Sequence, residues 1–100
     1  MTINKLWYIE QQLHKHLCKV FHNQVWTSNI YSKSKPDLYL MVIRMAINDI
    51  SVVEAVNKYL KRKLGIACNY IYKDQEGFGV LEYDDLTDKV VNEISIICKN

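Results

Sequence analysis

Apolar residues at three-to-four spacing open the chain. Leu6, Ile9, Leu13, Leu17 and Val20 form one stripe, which predicts a helix over about 4–22. Beside it, at about 100° per residue, runs a second ridge of Trp7, Gln11, His14, Cys18 and His22. The pattern then becomes strand-like. Residues 25–31, with Trp26, Thr27, Ile30 and Tyr31, predict one strand, and residues 38–47, apolar on both faces except at Arg44, predict a central one. Ser32–Asp37 separates them as a polar turn, so the pair reads as a hairpin. A second helix opens near Asn48–Ser51. Ser51 and Glu54 have the spacing of a capping box, Val53, Val56, Leu60 and Leu64 give the buried stripe, and Gly65 supplies the stop. A second hairpin is predicted from 67–73 and 78–83 around the turn Asp74–Gly77. Asp84 and Asp85 then offer an N-cap to a last helix over about 86–98, with Leu86, Val90, Ile94 and Ile97 on one side. Its β-branched content leaves 94–98 open to an edge strand instead.

The order α-β-β-α-β-β-α predicts a single α+β domain over residues 1–100, with a four-stranded, mostly antiparallel sheet and packed helices. One hundred residues suffice for a core without metal or disulfide staples. Three Gly and one Pro leave no room for a long flexible linker. The succession of helix, strands, helix, strands, helix is similar to that of compact secretion chaperones. That resemblance covers element order alone, one strand short, and implies a secretion-chaperone-like protein as one alternative.

Charge changes the picture. Residues 1–73 carry eleven Lys/Arg against four Asp/Glu, whereas residues 74–100 carry seven acidic side chains against Lys89 and Lys99. The net charge of +2 therefore conceals two opposed patches, which govern what approaches the surface more than how the chain folds. Cys18, Cys68 and Cys98 are widely spaced, with no metal-binding or redox pattern, and read as small hydrophobes in a reducing compartment. Charge arrives too early for a signal peptide, and the longest apolar stretch, Leu38–Ile43, is far below membrane-spanning length. The expected location is cytoplasmic, with no membrane partner. Eleven Lys to two Arg, with abundant Ile and Asn, suit an AT-rich coding sequence of bacterial or phage type.

Candidate chemistry is sparse. The chain has no Gly-rich phosphate loop, no nucleophile elbow and no H-E-x-x-H. A Cys18–His22 pair at i, i+4 could join nucleophile to base, but helices create such neighbours routinely. His14, Cys18 and His22 recur every four residues; two could chelate zinc with help from elsewhere, but three on one straight helix converge poorly on one ion. The acidic loop lacks calcium-loop spacing. The expectation is a non-enzyme without metal or cofactor.

Binding is the better reading. The leading expectation is a small protein that binds another protein, as an inhibitor or immunity-type antagonist of a partner such as a basic toxin or nuclease. Asp74, Glu76, Glu82, Asp84, Asp85 and Asp88 are the expected acidic contact, and Trp7, His14 and His22 the alternative ridge. Trp7 could instead widen the core face beneath a hairpin. The runner-up is a nucleic-acid-binding module using Lys58, Lys61, Arg62 and Lys63, with Lys33 and Lys35 at a hairpin tip and Trp26, Tyr31, Tyr70 and Tyr72 able to stack on bases. Opposed patches would also permit a head-to-tail homodimer.

Overall fold

The computed structural model describes residues 1–34, 37–45, 49–66 and 79–99. Three antiparallel strands, β1 (Val25–Ser32), β2 (Leu38–Met45) and β3 (Gly79–Thr87), form a sheet in the order β1-β2-β3. Helices α1 (Ile3–Val20), α2 (Ile50–Leu64) and α3 (Asp88–Ile97) complete an α+β domain. β2 is central, as its two-sided apolar pattern predicts. The expected strand at 67–73, the turn after it and Cys68 lie outside the described residues, so the described sheet has three strands rather than four. No helix among the described residues is long and apolar enough to cross a membrane.

Alternation along the strands decides which face meets the helices. Register places Tyr39, Met41, Ile43 and Met45 of β2 on one face with Val25, Ser28 and Ile30 of β1 and Leu81, Tyr83 and Leu86 of β3. Those apolar residues join Ile9, Leu13, Leu17, Val53, Val56, Leu60, Val91 and Ile94 from the three helices in one buried cluster. Val42 is buried on the opposite face, outside that cluster. There Arg44 donates long hydrogen bonds of 3.4 Å to Thr27 Oγ1 and Asn29 Oδ1 across the strand pair.

Caps set the helix ends, and several lie elsewhere than the sequence pattern suggests. Thr2 caps α1, its hydroxyl accepting from Lys5 N at 3.1 Å. α1 stops at Val20, which is exposed rather than in the core stripe. Phe21 then closes back on Leu17 O, and His22 and Asn23 turn the chain through left-handed φ of 53° and 66°. α2 is capped by Asp49, not Ser51: the Asp49 carboxylate accepts from both Ser51 N and Ser51 Oγ. A carboxylate two residues earlier takes the N-cap role that the capping box assigned to the hydroxyl. Gly65 ends α2 in the left-handed conformation, as predicted. α3 is a helix to Ile97, and its N-cap is Thr87 rather than Asp84 or Asp85. Those two aspartates instead form a bulge within β3, opposite Leu40, where Asp85 has φ 55° and the strand recovers its pairing at Leu86.

α1 shields the free edge of the sheet. Glu10 Oε2 accepts the outward Ile30 N–H at 2.7 Å, His14 Nδ1 lies 3.1 Å from Ser28 Oγ, and the Cys18 thiol donates to Val25 O at 3.6 Å. Side chains four apart on one helix thus satisfy groups of an edge strand that would otherwise invite pairing. The same ladder shows that α1 runs against β1.

Candidate binding surfaces

The contacts that orient the helices also define two poles. At one end lie the starts of α1, β2 and α3 and the ends of β1 and β3. Here Lys33 Nζ donates to Asp84 Oδ1 at 2.6 Å and to Asp85 Oδ1 at 2.9 Å. Asp84 Oδ1 also accepts the Asp85 N–H, and Tyr39 Oη donates to Asp88 Oδ1 at 2.7 Å. These bonds set the ionisation. Lys33 holds the Asp84 carboxyl below its ordinary value, and the two aspartates hold the Lys33 ammonium above its own. Asp88 is lowered chiefly by the Tyr39 hydroxyl, with further help from the N-terminal ammonium and Lys5. Tyr39 is pushed up to about 12 by that same bond and then by burial.

The acidic set expected from sequence is thereby divided. Asp84, Asp85 and Asp88 gather at this pole, with two of them engaged by one lysine. Glu82 stands opposite Val42 on the outer sheet face. Asp74 and Glu76 lie outside the described residues.

The Trp7 ridge is divided too. Trp7 is 61% exposed, so it does not pack beneath a hairpin; Ile3, one turn before it, is 86% exposed, and Tyr8 beside it is exposed as well. The α1–β1 ladder brings this end of α1 abreast of Tyr31, another exposed aromatic. His14 and Cys18 belong to the seam with β1, partly buried. His22 lies at the far end of α1, outside the helix. Cys18 therefore pairs with His14, Sγ to Nε2 3.5 Å, and not with His22. Burial raises the Cys18 thiol pKa, the wrong direction for a nucleophile. Among the described residues no group of three or more His, Cys, Asp or Glu could hold a metal ion.

At the opposite pole the ends of all three helices meet. Tyr59 of α2 is the hub: its Oη lies 2.6 Å from His16 Nε2, its ring stacks on His16 with centroids 5.9 Å apart, and Phe21 meets it edge-on at 5.5 Å. The Arg62 guanidinium and the Lys63 ammonium each lie 5.7 Å from the Tyr59 ring centroid. On the other side of His16 is a cleft of about 210 Å³ between α1 and α3, lined by Gln12, Lys15, His16, Lys19, Cys98 and Lys99. Lys58, Lys61, Arg62 and Lys63 of the sequence reading are all exposed here, as are Lys15, Lys19 and Lys99. None of these seven cations has an acidic partner among the described residues. Burial pushes the Cys98 thiol up to about 11, so it adds no negative charge to the cleft near neutral pH.

Lys15, Lys19 and Lys99 were not marked by sequence as a site. The i, i+4 spacing of Lys15 and Lys19 was the available signal, but their meeting with the end of α3 is purely tertiary. No protein-family model matches the chain, and neither does any curated protein or solved structure.

Proposed function

We propose that this protein is a non-catalytic binding module that engages another protein, in the manner of an inhibitor or immunity-type antagonist. The contact is the pole that carries the exposed Trp7, Ile3, Tyr8 and Tyr31 and, at the same end of the sheet, Asp84, Asp85 and Asp88. The observation that carries the reading is the exposure of Trp7 at that pole, since a large aromatic left in solvent on a helix surface suits an interface anchor. The acidic residues favour a partner with a basic surface, such as a toxin or nuclease, and steer it toward the aromatic anchor. Lys33 sits within this rim, tempering its charge.

The test is capture with tagged protein from the native host, eluted in a salt series with and without nuclease treatment. One stoichiometric protein, retained after nuclease and lost with Trp7→Ala, is the expected result. Unchanged retention by Trp7→Ala would sink the assignment of the anchor. Charge reversal at Asp84 and Asp85 should slow association and flatten its salt dependence.

A second reading, nucleic-acid binding through the end of α2, is favoured by one observation: Lys58, Lys61, Arg62 and Lys63 lie at the other pole, without acidic partners among the described residues.

A further inference from the structure

The basic end of α2 is one part of a larger surface. From Lys99, just past α3, and the cleft between α1 and α3, through Lys15 and Lys19, past the His16–Tyr59 pair to Arg62 and Lys63, cations follow one another across the pole. Charge complementary to the helix dipoles explains part of this. Each helix C-terminus presents roughly half a negative charge, so three of them are offset by one or two cations. Seven exposed cations far exceed that need, and Lys15 lies more than one turn from the end of α1.

We propose that the cleft between α1 and α3 seats a phosphate of a single nucleic-acid strand, whose neighbouring phosphates lie on the cations of α2. The inference deepens the second reading and is independent of the Trp7 pole. Lys15, Lys19 and Lys99 line the cleft together with Gln12, whose side chain carries an amide donor. Among the described residues no carboxylate lines it. Lysine heads serve as point charges for phosphate without demanding a fixed orientation, which fits a flexible strand better than one shaped ligand. A strand also answers the extent of the surface: a lone phosphate in the cleft leaves Arg62 and Lys63 unengaged.

The experiment is fluorescence anisotropy with a labelled oligothymidylate of about twenty nucleotides, longer than one small domain covers. Lys15→Ala/Lys19→Ala is compared with Lys61→Ala/Arg62→Ala/Lys63→Ala across a salt series. Both variants alter exposed side chains, and their thermal melts verify folding. The inference expects salt-dependent binding by the native chain. The cleft variant should lose about tenfold in affinity, with a salt slope reduced by roughly 0.7 for the one strand phosphate no longer held. If the α2 variant alone weakens binding, the cleft assignment is overturned while the second reading stands. If the native chain fails to bind at low salt, both are overturned. Tripolyphosphate is the competing probe: binding of it in the cleft without strand binding overturns the strand assignment.

Discussion

Gly65 has φ 71°, and a Cβ built there would meet nothing within 4 Å. Gly65→Ala therefore carries only the backbone penalty of the left-handed conformation, about 1 kcal/mol, to be seen as a lower urea midpoint with unchanged m. Leu13 differs in kind. It has no exposed surface and stands in the middle of the buried cluster, so Leu13→Ala removes transfer energy and leaves a cavity, a loss of about 2–5 kcal/mol in the same assay. Both positions were legible in the sequence, Leu13 by period and Gly65 by its place after a basic last turn. The roles of Glu10 and Cys18 were not. Nothing along the chain shows that a carboxylate on α1 will meet the Ile30 N–H, because the register of a helix against a strand edge is set by packing.

Element ends are where local pattern and fold parted. Ser51 and Glu54 have the right spacing for a capping box, but Asp49 offers its carboxylate to both groups of Ser51 and takes the position first. Asp84 and Asp85 have the right type to cap α3, yet β3 continues through them to pair Leu86 with Tyr39. Extending the sheet buries Leu86, which outweighs an early helix start. The caps can be tested directly. Thr87→Ala should destabilise by about 1 kcal/mol through loss of the bond to Val90 N, measured by chemical denaturation. A comparable loss of α3 helicity by circular dichroism in Asp85→Ala, rather than in Thr87→Ala, would return the cap to the aspartates.

At the scale of the molecule, cations without acidic partners among the described residues gather at one pole while the aspartates of β3 and α3 lie at the other beside Lys33, and pH reads both poles. Tyr39 and Cys98 are protonated more firmly when folded, at about 12 and about 11 against ordinary values of 10.0 and 9.0. Their stabilising contribution is complete below the ordinary values and lost as pH climbs through the folded ones, because the unfolded chain sheds these protons first. The melting temperature should therefore fall from about pH 9 to 12, and Tyr39→Phe should flatten the upper part of that decline. Asp84 and Asp88 act in the opposite sense: their folded values are depressed, so their contribution is present above the ordinary carboxylate value of 3.8 and lost as pH falls through the lower folded ones. The four groups together give a plateau near neutrality with shoulders on both sides.

The sequence by itself determined the type and order of the described elements and most core-facing residues of α1 and α2, whereas Leu86, expected in the last helix, belongs to β3 and Val91 rather than Val90 is fully buried in α3. Period, turn chemistry and the glycine stop are local properties, and burial of Ile9, Leu13, Leu17, Val53, Val56 and Leu60 follows from helical spacing alone. It also determined that unlike charges occupy different stretches. Only the tertiary structure decided which residues stand together. The direction of α1 along β1 put exposed Trp7 at the aspartate pole and sent His22 to the other. Lys33 reached across more than fifty residues to engage two aspartates. The α1–α3 contact made a cationic cleft from Lys15 and Lys19 on one side and Lys99, eighty or more positions later in the chain, on the other. Such meetings depend on how three helices share one sheet face, a packing problem solved by the whole core at once.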